Sequence, residues 1–142
     1  MNSREIKWKI HCNSSAEKLF KILSTYEGRE CFWAEESREI ENYINFVFPN
    51  GKTYKSEILH KKFPERFSID YFDSVVTFQI SPLPNGGCNV TLTNTKVDIE
   101  DFKEVLAGWV SVLLALKAYA DFGVDLRNHH SNRTWDQFYV DN

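Results

Sequence analysis

Four places in this chain combine side chains that could do chemistry. His11 and Cys12 adjoin, as a base and the thiol it activates must come together. Asp121-Phe122-Gly123 spells the magnesium-binding triplet of protein kinases. His129 and His130, with Asp125 or Asp136, offer nitrogen and oxygen ligands to a metal. Glu35, Glu36, Glu39 and Glu41 gather carboxylates, of which one buried with a raised pKa would be a general acid. Spacing and context argue against each. Neighbours in a strand point to opposite faces, so His11 and Cys12 cannot pair. The triplet lacks the glycine-rich and catalytic loops and reads as a helix stopped at Gly123. The two histidines read as a solvated pair, and the glutamates as an outer strand face. No G-x-S-x-G, H-E-x-x-H or P-loop occurs. The residues predict no catalytic set, no metal and no cofactor.

The elements that must carry these residues follow from hydrophobic period. Ile6, Trp8, Ile10 and Cys12 alternate as in a half-buried strand. Ser14 and Glu17 then form a capping box, and residues 16–23 read as a helix burying Leu19, Phe20 and Leu23. A brief helix over 27–30 is expected before Phe32 and Trp33. Strands follow over 34–40, 43–48, 52–61, 66–73, 75–81 and 88–96, with Pro49-Asn50-Gly51 as a tight hairpin and 82–87 as a looser one. A long helix closes the order over 99–122, with Asp98 as its cap. Phe102, Leu106, Trp109, Leu113, Leu116 and Ala120 share its inner face. At 1.5 Å per residue it is about 36 Å long, enough to cross a small domain. One helix must therefore cover one antiparallel sheet, which curls around it and tends to leave a pocket.

Composition narrows the class. The chain has 142 residues, 26% of them charged and 42% apolar, with a formal charge of −3. That balance argues against nucleic acid or an anionic membrane as partner, since no basic stripe offsets it. Eleven Phe, six Tyr and four Trp supply a bulky core or an aromatic pocket. Residues 1–10 have no apolar h-region, so no signal peptide is expected. The apolar run 105–116 is interrupted by Gly108 and Ser111 and predicts no membrane span. Cys12, Cys31 and Cys88 form no CxxC pair and are expected as free thiols of a cytoplasmic protein.

Phe20-Lys21-Ile22-Leu23-Ser24-Thr25 followed by Cys31-Phe32-Trp33-Ala34 resembles the opening of the helix-grip superfamily, which includes START and Bet v 1-like proteins. Val90-Thr91-Leu92-Thr93, Gly108-Trp109 and Leu113-Leu114-Ala115-Leu116-Lys117 are similar to one branch, the domain related to the carboxy-terminal part of the activator of Hsp90 ATPase. Arg133-Thr134-Trp135-Asp136-Gln137 resembles the tail of small bacterial members. The resemblance implies an α+β helix-grip fold over residues 1–124, with a curved antiparallel sheet of six or seven strands. It also implies a cavity between helix and sheet for hydrophobic or amphipathic molecules.

The face assignments then give the lining as Phe46, Tyr54, Ile58, Tyr71 and Phe78 on the strands and Trp109, Leu113 and Leu116 on the helix. Ser56, His60 and Asn94 share the strand phase and would orient a ligand. The tail, 125–142, is too aromatic for disorder and is expected to dock on the domain or on a second subunit, with Arg127 and Arg133 pairing with surface carboxylates. The expected function is non-catalytic binding of a hydrophobic small molecule. The alternatives are a chaperone-linked interaction module, alone or as a homodimer, and a cyclase-like enzyme.

Overall fold

The computed structural model describes residues 3–84 and 86–142. The loop expected over 82–87 contains Asn85, which lies outside the described residues, as do Met1 and Asn2. Seven strands form one antiparallel sheet: β1 (Ser3–Cys12), β2 (Glu36–Ile40), β3 (Tyr43–Val47), β4 (Thr53–Lys62), β5 (Arg66–Tyr71), β6 (Ser74–Pro82) and β7 (Cys88–Asp98). Their spatial order is β1-β7-β6-β5-β4-β3-β2. Every neighbour except the β1–β7 pair is also a neighbour in sequence, so the sheet is a meander closed by its first strand. Helices α1 (Ala16–Ser24) and α2 (Tyr26–Arg29) bridge β1 and β2, and α3 (Phe102–Phe122) follows β7.

Alternation places the core. Val76, Phe78 and Ile80 on β6 and Cys88, Val90 and Leu92 on β7 are buried on one face, against Leu19, Leu23, Leu113 and Leu116 from the helices. A bulge in β4 breaks the period: Ile58 pairs with Ile69, but His60 pairs with Ser68, so two residues oppose one. His60 is thereby turned to solvent rather than to the inner phase it was expected to share with Ser56.

Two helix starts differ from expectation. Ser15, not Ser14, caps α1 by accepting from Lys18 N–H at 3.1 Å. Ser14 is recruited elsewhere: its hydroxyl lies 2.7 Å from Asp121 Oδ1 and 2.8 Å from the Ala120 carbonyl. The Asp121 carboxylate also accepts from the Asn13 and Ser14 amides at 2.8 and 2.9 Å. Burial works against that charge, but these donors and Lys117 outweigh it and hold the Asp121 carboxyl below its ordinary value. Helix α3 begins at Phe102 rather than residue 99. Asp98 accepts from Glu100 N–H in an Asx turn, which takes the chain through one tight turn first. Gly123 ends α3 at φ 67°, as the left-handed stop requires.

The apolar reach of α3, Phe102–Phe122, exceeds what the run 105–116 indicated. By length and composition this helix could cross a membrane, while Trp109, Leu113, Ala115, Leu116 and Ala120 are buried in the domain. The three cysteines are free. Cys12 and Cys88, distant in sequence, face each other across the β1–β7 ladder. Burial, reinforced by Asp121 and Cys88, pushes the Cys12 thiol up to about 12, so it stays protonated and inert.

Candidate functional site

The space between α3 and the sheet is filled by rings. Trp33, carried in by the turn after α2, packs at 5.0–5.7 Å from Phe46, Tyr71, Phe78 and Trp109. The polar edges within this cluster each have a partner. Trp33 Nε1–H donates to the Tyr71 hydroxyl at 3.3 Å, and Trp109 Nε1–H donates to Asn94 Oδ1 at 2.9 Å. The Asn94 amide donates onward to Ser74 Oγ at 2.8 Å and to the Val75 carbonyl at 3.1 Å. Burial pushes the Tyr71 phenol up, the Trp33 N–H working against it. Tyr71 is therefore a neutral hydroxyl, a packing group with a polar tip.

Beside this cluster a cleft of about 420 Å³ opens. The first half of α3 forms one wall through Val105, Gly108, Trp109 and Val112, the β3–β4 hairpin a second through Phe48, Pro49 and Lys52. Tyr71 and Phe72 close the β5–β6 end, and Leu126, Trp135 and Val140 of the tail complete the rim. Gly108 sits mid-helix, and a Cβ there would meet nothing within 4 Å.

Of the eleven candidate residues, Tyr71 and Trp109 border this cleft. Phe46, Ile58, Phe78, Leu113 and Leu116 lie in the packed core. Asn94 is locked by Trp109, and Ser56 is buried with its hydroxyl unpartnered. Tyr54 donates its hydroxyl to Asp70 at 2.8 Å and stacks on Phe72 at 4.5 Å, while His60 is outside. Alternation alone did not single out Trp33, Phe48, Phe72, Gly108 or the tail. The helix-interior glycine was the available signal, because glycine there costs about 1 kcal/mol relative to alanine.

The tail is held by one buried guanidinium. Arg127 was expected among surface pairs, yet its side chain is almost wholly covered. It donates to the carbonyls of Ala34 at 2.9 Å and Glu30 at 2.6 Å, and in a fork to Asp125 at 2.9 and 3.0 Å. Farther along, Trp135 Nε1–H donates to Glu104 Oε1 at 2.8 Å and the Asn50 amide to Asp136 Oδ2 at 2.9 Å. Thr134 and Gln137 cap the turn that carries Trp135.

His129 Nδ1 lies 2.6 Å from Glu35 Oε2, and Nε2 lies 2.8 Å from Asp125 Oδ2. Both ring nitrogens are thus given to carboxylates. Among the described residues no cluster of His, Cys, Asp and Glu is built to hold a metal. Burial opposes the imidazolium, but the hydrogen bonds to Asp125 and Glu35 more than offset it, so the His129 pKa is raised. The stabilisation is then complete below the unfolded value of about 6.5 and is lost as pH rises through the folded value. Thermal melts of the wild type and His129→Asn should differ most near pH 6 and converge at alkaline pH. The difference should be at most about 1 kcal/mol, because the ring is 40% exposed. Asparagine tolerates the left-handed backbone of this position, φ 58°.

No family model and no curated protein matches the chain. Solved structures do. A crystal structure of a protein from Staphylococcus saprophyticus is 24% identical, with a TM-score of 0.76, covering 87% of this chain and 96% of that one. The solution structure of the Aha1 dimer from Colwellia psychrerythraea is 19% identical with a TM-score of 0.76, covering 84% of this chain and 98% of that one. The chain has the helix-grip fold. A third helix-grip likeness is CalU16 from Micromonospora echinospora, 19% identical with a TM-score of 0.69, over 82% and 74% of the two chains. In this helix-grip chain the gripped space is occupied by Trp33, Trp109 and Phe78, and the open volume lies at its edge, under the tail.

Proposed function

We propose that the chain binds a hydrophobic or amphipathic small molecule, without chemistry, in the cleft between α3, the β3–β4 hairpin and the tail. One observation carries this reading: a cleft of about 420 Å³, walled mainly by aromatic and aliphatic side chains, into which a helix-interior glycine opens. Small-molecule sites span roughly 300–1,000 Å³ and are apolar with a few placed polar groups. The three free thiols suit a reducing compartment such as the cytoplasm.

An apolar fluorophore should bind the folded protein one to one, and long-chain alcohols or polyketide-like compounds without an acidic head should displace it and raise Tm by mass action. Gly108→Phe puts a ring into the open volume. It should weaken binding at least tenfold while leaving Tm unchanged or higher, since it replaces a poor helix former. If Gly108→Phe binds the dye like the wild type, the dye sits elsewhere and the reading fails.

A second reading is a chaperone-linked interaction module of the stress response. The likeness to the Aha1 dimer supports it, as do Val110 and Leu114, which α3 leaves at the surface 37% and 54% exposed. A concentration-dependent dimer in sedimentation, lost on Leu114→Lys, would favour it over the small-molecule reading.

A further inference from the structure

The walls of the cleft carry charge as well as rings, and the charges do not balance. Glu104 on α3 and Asp136 and Asp141 in the tail all border the volume. Each is held by a neutral donor. Glu104 accepts from the Trp135 indole, Asp136 from the Asn50 amide, and Asp141 from the Asn128 amide at 3.1 Å. Among the described residues none of the three pairs with a Lys, Arg or His. The cations of the same walls are Arg127 and Lys52. Arg127 is committed to Asp125, with Glu35 at 3.7 Å. Lys52 Nζ lies 5.1 Å from the Phe72 ring centroid, an attraction already formed. Three carboxylates thus share the walls with one amine, and that amine is given to a ring.

The rings act in the same direction. Phe48, Tyr71, Phe72, Trp109 and Trp135 line the volume, and an aromatic face is electronegative. Rings and carboxylates together form a surface that prefers positive charge on an apolar body and disfavours a carboxylate or sulfate head.

We infer that the ligand class of this cleft is a hydrophobic molecule bearing a cationic nitrogen, either a protonated amine or a quaternary ammonium. Its apolar body lies against the rings and its charge faces Glu104 and Asp136. The inference rests on the cleft being the binding site proposed above.

The test uses the full chain and three compounds with one skeleton, a phenylhexyl chain ending in trimethylammonium, hydroxyl or carboxylate. Calorimetry should rank the ammonium about tenfold tighter than the alcohol, as a desolvated cation–π contact would give, with the carboxylate weakest. Added salt should narrow that gap. The double variant Glu104→Gln, Asp136→Asn keeps an oxygen acceptor for the Trp135 and Asn50 donors. It should bring the ammonium down to the alcohol and leave the alcohol unchanged. A carboxylate that binds as tightly as the ammonium overturns the inference, as does a preference that survives the double variant. If none of the three compounds binds, the cleft itself is not a site, and both readings fall together.

Discussion

Replacing Trp109 by alanine is expected to lower the unfolding free energy by about 3–5 kcal/mol, the range for emptying a large aromatic site in a core. The indole is 3% exposed and packs against Trp33, Tyr71 and Phe78. Its loss also strands Asn94 Oδ1, whose only donor among the described residues is the indole N–H. The two contributions separate with Trp109→Phe. That variant keeps most of the packing and loses the hydrogen bond, and should cost about 1–3 kcal/mol for the unsatisfied amide oxygen. Urea denaturation of the three proteins measures both. A loss below 1 kcal/mol for the alanine variant would mean that neighbouring rings collapse into the space. The cleft beside Trp109 makes the functional consequence visible too, because dye binding should change in the alanine variant.

Arg127→Met should cost about 3 kcal/mol and should release the tail. A buried guanidinium satisfies the Ala34 and Glu30 carbonyls and the Asp125 carboxylate together; removing it takes that donor from both carbonyls and leaves Asp125 with His129 and the backbone amide of residue 127. Burial tends to raise the Asp125 pKa, but Arg127 and His129 outweigh it and hold the carboxyl below its ordinary value. In the variant the Asp125 pKa should climb back toward the ordinary range. Hydrogen exchange is the sharper readout. The amides of Gln137 and Tyr139, bonded to the Thr134 carbonyl at 3.0 and 3.1 Å, should lose protection while those of β6 and β7 keep theirs. Equal protection in both regions would show that the tail is held by Trp135 and Asp136 without its arginine.

How much of this was legible beforehand depends on the range of the interaction. The meander, the hairpin at Asn50-Gly51 and the helical face of Trp109 and Leu116 follow from periods of 2 and 3.6 and from local turn chemistry. What the sequence did not disclose arises between distant residues. The β4 bulge shows only in the register of β4 against β5, and it reversed the phase of His60. Ser14 and Ser15 are equivalent caps until Asp121 claims one of them. Cys12 and Cys88 become neighbours only through the β1–β7 register. The cleft needed the same kind of information: part of its rim comes from a tail whose path is fixed by Arg127. Face assignments found the packed interior, and the open volume lies where that packing stops.

The place of β1 in the sheet has a consequence for the order in which the molecule can be made. Among the described residues its only strand partner is β7, so Lys7 waits for Thr93, and Ile10 waits for Val90. On the ribosome, the meander from β2 to β6 can pair hairpin by hairpin as it emerges, whereas β1, made before those strands, has no strand partner until residues 88–98 are out. The clasp between Asn13, Ser14 and Asp121 is later still, because it needs the end of α3. During that interval Ile6 and Cys12, which end up buried, are exposed on a single unpaired strand, the kind of segment that holding chaperones bind and that aggregates when they do not. For this chain, synthesis past about residue 121 is the event that turns a set of hairpins into a closed domain.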